Sequence, residues 1–294
     1  MALPIKNSKQ LSISPAVAGP VLMIGAAAVF TFMSVLVKLM PQGYTAWHLA
    51  FIRCMGGMFV IIIFFANGKN PFKGYNIPLL ITRGFTGSLA FLTIVTAMRA
   101  LPLSTACVLF YAYPVFAAFF GFILYKESVN FKQISCIFVL IAGVAVLFDF
   151  GFVGSWYGQS MAIAGALFAG LTVTLIRSLK AHNGVVVIYL YFCATGALLT
   201  LVPCIINPII PSGPVEWMMI IAIILSSLTA QLMMNKGFQF CKGFEGGVYM
   251  STETVFTAVV GIFFLHEPVS WRFFLGAFLI LGSGLALHRF SLKE

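Results

Sequence analysis

The sequence predicts an all-α integral membrane protein with ten transmembrane helices arranged as two inverted five-helix repeats. Three observations predict it. Of the 294 residues, 61% are hydrophobic and 8% charged, with a mean hydropathy of +1.05, where a soluble domain carries about 25% charged residues. Ten apolar runs approach the roughly 20 residues that a helix needs to cross a bilayer core of about 30 Å. The stretch PVFAAFFGFILYKESV at 114–129 returns 140 positions later as TVFTAVVGIFFLHEPV at 254–269.

The runs lie near residues 20–40, 45–66, 78–98, 103–125, 133–149, 157–177, 185–206, 216–236, 243–265 and 270–289. Short connections with turn-forming residues separate them, among them PQG at 41–43, NGKNPFKG at 67–74, LPLS at 101–104, HNG at 182–184 and NPIIPSGP at 207–214. A closed barrel would alternate polar and apolar residues along each strand, and FVIIIFF at 59–65 does not. Basic residues precede the first run, and Ala26, Ala27 and Ala28 give it the small side chains of a secretory signal. Those alanines come early in the run, however, and the run has a counterpart in mid-chain, so it is expected to be retained. This gives an N-terminal tail over 1–19, a first repeat over 20–149 with spans 1–5, and a second over 157–289 with spans 6–10.

The repeat extends outward from the opening pair without a gap. At the same offset stand Gly25 and Gly165, Gly56 and Gly196, Asn67 and Asn207, Pro71 and Pro211, Gly121 and Gly261, and Glu127 and Glu267. Apolar matches are cheap in this composition, but Asn, Pro and Glu are rare in it and one offset aligns all three. Five spans is an odd number, so the second half enters the membrane upside down. Glu127 is then expected to end its helix on the cytoplasmic side and Glu267 on the outside. Inverted halves suit a carrier whose central site opens to either side by rocking.

Charge placement gives orientation. Thirteen of the seventeen Lys and Arg, including Arg83, fall in the tail, the even-numbered loops or the C-terminus. Only Lys38, Arg99 and Arg272 lie near the other face, with Arg53 inside a span. The positive-inside rule therefore places both termini in the cytoplasm of a cell membrane, expected to be a bacterial inner membrane. The same rule accounts for the net charge of +10 without a nucleic-acid partner. The six cysteines lie in or beside apolar runs with no C-x-x-C spacing and no adjacent His, so no metal and no cofactor is expected.

Glu253 lies ten residues into its span, near the bilayer midplane, where a lone carboxylate costs several kcal/mol unless paired or protonated. It is the candidate proton or substrate site. Arg53 could neutralise it or hold a substrate carboxylate, whereas Arg83 reads as an anchor nearer the cytoplasmic end. Gln231 and Asn235 are one turn apart on span 8, as are Tyr249 and Glu253 on span 9, so each pair can share a face. Tyr111, Tyr113 and Pro114 fall inside span 4, where Pro removes a backbone hydrogen bond and Tyr113 can line a cavity. Glu127 and Glu267 read as capping carboxylates at span ends. Trp47, Trp156, Trp217 and Trp271 read as interface anchors.

A membrane-embedded enzyme would need a catalytic cluster, but His48, His182, His266 and His288 are scattered and neither H-E-x-x-H nor G-x-S-x-G occurs. A channel would suit the small-residue stretches equally well, and saturable exchange separates it from a carrier.

FIRCMGGMF at 51–59, TRGFTGSLAF at 82–91 and ALPLSTACVLFYAYPVFAAFFGFILYKE at 100–127 resemble the second, third and fourth spans of an EamA unit, in the drug/metabolite transporter superfamily. The matches run through Arg53, Arg83, Gly84, Pro114 and Glu127. The second copy departs from that pattern. Thr254 follows Glu253 where relatives commonly have Pro, and Cys193 stands at the position of Arg53, so a kink at Pro114 need not recur in span 9. The resemblance implies a ten-helix exporter or exchanger, coupled to protons or another gradient, that moves a small metabolite such as an amino acid. An uptake permease for a nucleotide-like or vitamin-like metabolite is the alternative. The partners expected are a small-molecule substrate, the lipid bilayer and protons as coupling ion; the oligomeric state is left open, with a monomer as one option.

Overall fold

The computed structural model describes residues 15–65, 70, 72–126, 131–147, 155–240, 243–267 and 270–291. Among these residues there are twelve helices and no strand: α1 (Pro15–Leu39), α2 (Ala46–Phe65), α3 (Ile77–Ala100), α4 (Leu103–Phe110), α5 (Tyr113–Tyr125), α6 (Phe131–Leu147), α7 (Trp156–Leu179), α8 (Val185–Ile206), α9 (Pro214–Phe240), α10 (Gly243–Met250), α11 (Thr252–Phe263) and α12 (Trp271–Ser291). Seven helical stretches are long and apolar enough to cross a membrane: Val17–Leu39, Ala46–Phe64, Ile77–Ala100, Leu103–Tyr125, Trp156–Ile176, Val185–Ile206 and Pro214–Phe240. Ile134–Gly143, Thr252–Phe263 and Trp271–Ser283 are apolar but shorter. The outer surface is apolar, with Phe59, Leu198, Phe263 and Phe278 exposed together with all four tryptophans.

Local chemistry sets the helix ends. The Asn76 side chain accepts from the Leu79 N–H at 3.4 Å and Pro78 occupies the first turn of α3. The Ser155 hydroxyl accepts from the Tyr157 N–H at 3.2 Å to open α7. Within spans, buried hydroxyls such as Thr31, Ser88 and Thr200 donate to carbonyls one turn back, so they need no water.

Packing partners recur at the offset of 140. α1 lies against α9 and α11, as α7 lies against α3 and α5; α2 pairs with α8 and α6 with α12. The ends repeat too. Lys38 Nζ donates to the Met98 carbonyl at 2.7 Å and Lys180 Nζ to the Phe238 carbonyl at 2.8 Å, two acceptors 140 residues apart. Lys126 and His266, also 140 apart, both adopt left-handed backbone with φ of 53° and 51°.

The helix break of span 4 recurs in span 9 without its proline. α4 stops at Phe110 and α5 starts at Tyr113; α10 stops at Met250 and α11 starts at Thr252. Pro114 has no N–H to give the Phe110 carbonyl. Thr254 has one, but donates it to the Ser251 carbonyl, three residues back at 3.0 Å, instead of to Met250. Both spans thus lose the same backbone bond by different means, which corrects the expectation that a kink at Pro114 need not have a partner.

Glu267 caps a helix of the other half. Pro102 precedes α4 and offers no side-chain acceptor. Glu267 fills that place: Oε1 accepts from the Leu103 N–H, and Oε2 accepts from the Ser104 N–H at 3.1 Å and its hydroxyl at 2.7 Å. A Cβ on Gly261 would lie 2.5 Å from Glu267 Oε2, so the glycine leaves the carboxylate its path. This gives the Gly261-to-Glu267 spacing a physical reason. Glu127, the matching acid of the first half, lies outside the described residues.

Glu267→Ala is expected to destabilise the protein by about 1 kcal/mol, the usual value of a helix N-cap, read as a lower unfolding midpoint in detergent or nanodiscs. Gly261→Ala should lower it comparably although it leaves Glu267 in place, because the displaced carboxylate loses the same bonds.

Candidate functional site

An internal cavity of about 140 Å³ lies among α1, α2, α3, α4, α5, α7, α8, α9, α10 and α11. Most of its wall is apolar, built from rings and thioethers such as Phe30, Phe110, Met33, Met98, Met234 and Met250. Against that background three charged side chains stand out: Arg53 from α2, Arg83 from α3 and Glu253 from α11. They are 3%, 1% and 7% exposed.

The arginines are held by one face of α9. Arg53 donates through Nε to the Ser227 hydroxyl and through Nη2 to Gln231 Oε1 at 3.0 Å. Arg83 donates through Nη2 to Asn235 Oδ1 at 3.3 Å. Ser227, Gln231 and Asn235 are spaced four apart, so they form a ladder of acceptors up one side of the helix. Aromatic faces cover the rest. Arg53 Cζ lies 4.0 Å from the centre of the Phe91 ring and 5.1 Å from that of Phe192, and Arg83 Cζ lies 5.3 Å from the Phe192 centre. Such contacts strengthen when desolvated. Close backbone approach makes them reachable: a Cβ on Gly84 would lie 2.8 Å from the Tyr191 carbonyl oxygen, so α3 and α8 touch beside Arg83 and Phe192.

Glu253 stands apart from this pair. Tyr111, at the break of span 4, donates its hydroxyl to Glu253 Oε2. The rings of Tyr111 and Tyr113 lie 5.5 Å apart, and Tyr113 donates to the Gly247 carbonyl at 3.3 Å. Both broken spans therefore bring their polar groups to the cavity at the break.

The structure gathers Arg53, Gln231, Tyr113 and Glu253 in the cavity wall. Asn235 is buried behind the wall as the acceptor for Arg83. Pro114 is buried at the break and Glu267 lies at the α4 terminus, outside the cavity lining. Three expectations need correction. Arg53 makes no ion pair with Glu253; its Nε and Nη2 donate to Ser227 and Gln231. Tyr249 is half-buried and does not share the cavity face of Glu253, because the break at Ser251 interrupts the helical relation between them. Arg83 is no interfacial anchor but one of the most buried large side chains described.

Sequence reasoning also passed over Phe91, Phe192 and Ser227. The repeat carried a signal for two of them: Phe91 is the counterpart of Gln231, and Ser227 that of the cavity-lining Gly87. No signal marked Phe192. Among the described residues no group of three His, Cys, Asp or Glu could hold a metal ion.

Two stretches, residues 17–149 and 156–287, each match the model of the EamA-like transporter family. The chain belongs to the EamA-like transporter family. As a family member it is a multi-pass membrane protein. It is 25% identical over 273 residues to the pseudopaline exporter CntI of Pseudomonas aeruginosa, covering 92% of this chain and 96% of that one. It is also 25% identical over 280 residues to the human solute carrier family 35 member G1, covering 88% of this chain and 76% of that one. A solved crystal structure matches 95% of this chain and 99% of its own at a TM-score of 0.67 and 16% identity, which shows a shared fold. The family and these relatives make the EamA protein a transporter of small metabolites.

Gln231→Leu is expected to leave an Arg53 N–H buried without an acceptor and to cost about 1–3 kcal/mol, measured by thermal unfolding of the purified protein. Asn235→Leu should act in the same direction through Arg83.

Proposed function

We propose that this EamA protein is a secondary transporter that moves a small organic metabolite, an amino acid or related solute, by alternating access. Its ten spans form two inverted halves, domains over 20–149 and 157–289, with both termini cytoplasmic in a bacterial inner membrane and a single chain sufficient for transport. The observation that carries the reading is the central cavity, walled by helices of both halves and reached by two spans broken at equivalent positions. Broken helices beside a central site are the usual construction of such carriers. Halves with repeated packing partners can exchange two arrangements of similar energy, so a modest ligand contribution shifts the balance. Net export or exchange is favoured by the likeness to an exporter along nearly its whole length.

Glu253 is the coupling group in this account. It is the one carboxylate in the cavity wall, and its bonded partner is a neutral phenol in place of a cation. A carboxylate so placed can take up a proton on one side and release it on the other. Arg53, Gln231 and Tyr113 would contact the solute, while Asn235 and Tyr249 act from behind the wall.

Counterflow in proteoliposomes, with labelled metabolite pools, tests this. Saturable exchange that depends on pH in the wild type and loses that dependence in Glu253→Gln is the expected result. Saturable exchange with an unchanged pH profile in the variant would remove Glu253 from the coupling role, and flux that never saturates would point to a channel. Tyr111→Phe should keep exchange saturable but shift its pH profile, since the phenol that steadies the carboxylate is gone.

A further inference from the structure

We infer that the transported solute carries an oxyanion, held by Arg83, on an apolar body. The inference rests on the carrier reading and names the chemistry of its cargo. Arg83 lines the cavity at 1% exposure, yet only Nη2 has a protein partner; Nε and Nη1 have none. A buried N–H without an acceptor is costly, and Arg83 has two nitrogens in that state. Its neighbour differs. Arg53 reaches two acceptors on α9, so the deficit is local to Arg83.

Charge points the same way. The wall holds two guanidinium groups and one carboxylate, and that carboxylate is bonded to Tyr111 rather than to either arginine. One further negative charge would balance the cavity. A guanidinium has only donors, arranged in a planar fork, and its matching ligand is a group with only acceptors, a carboxylate or a phosphate. Phe30, Phe110, Met234 and Met250 complete the wall and fit an aliphatic or aromatic remainder.

Calorimetry on the full chain in nanodiscs tests this with 3-phenylpropanoate, phenyl phosphate and the uncharged 3-phenylpropanamide. At least one anion is expected to bind about tenfold or more tightly than the amide, the scale of a charge-assisted hydrogen bond. The tighter of the two anions identifies the source of the oxyanion. Arg83→Gln should abolish the preference, and Arg83→Lys should retain part of it. The wild-type comparison stands even if a variant fails to fold. An amide that binds as well as the anions, no binding by any probe, or a preference that survives Arg83→Gln would overturn the inference. Counterflow with metabolite pools is read separately: its failure would sink the carrier reading, whereas saturable exchange alongside amide binding as tight as the anions' would sink only the oxyanion.

Discussion

A guanidinium has five N–H donors and no acceptor, and in a bilayer core each donor left without a partner is expensive. Arg53 and Arg83 bring two such groups to the middle of this protein, and much of the surrounding structure follows from that. α9 must turn Ser227, Gln231 and Asn235 to one side at four-residue spacing. Helix α8 must come close enough for Phe192 to lie against both arginines, which requires the backbone contact at Gly84. The arginines thus fix the relation of α2, α3, α8 and α9. Burying ions in this way contributes little to stability for its own sake. Its value lies in a charged surface that faces the cavity.

The scaffold is repeated but the chemistry is not. Helix breaks, the left-handed pair Lys126 and His266, the carbonyls of Met98 and Phe238 that each accept from a lysine, and packing partners recur at one offset. The charged groups do not: Arg53 stands opposite Cys193 in the repeat, Glu253 opposite Tyr113, and Gln231 opposite Phe91. In the proposed carrier, duplicated packing would make two arrangements of the bundle nearly equivalent, and single-copy charges give the shared cavity one chemical identity. Arg53 illustrates the combination, since Phe91 and Gln231, equivalent positions in the two halves, both contact it.

Much of this was legible in the sequence because membrane helices announce themselves by composition and length. The span expected over 103–125 is the helical stretch Leu103–Tyr125. Glu253, Arg53 and Gln231 stood out because polar residues are costly in lipid, and all three line the cavity. Misreadings came where one-dimensional rules meet three-dimensional packing. Arg83 reads as an anchor because it lies near a span end, but the helices that bury it are distant in the chain. Tyr249 shares a face with Glu253 only in a continuous helix. The break between them was hidden because span 9 has no proline there and diverts the Thr254 N–H instead. Phe192 is one of 31 phenylalanines, and its place beside two cations could come only from the fold.

The central claim is that one buried cavity is presented in turn to both sides of the membrane. Cys107 lines that cavity and is buried, so it serves as a native reporter once the other five cysteines are replaced. Reaction of Cys107 with a small membrane-impermeant methanethiosulfonate would be timed from each face, in right-side-out and inverted vesicles. The account predicts labelling of the wild type from both faces. Labelling from one face only would contradict it.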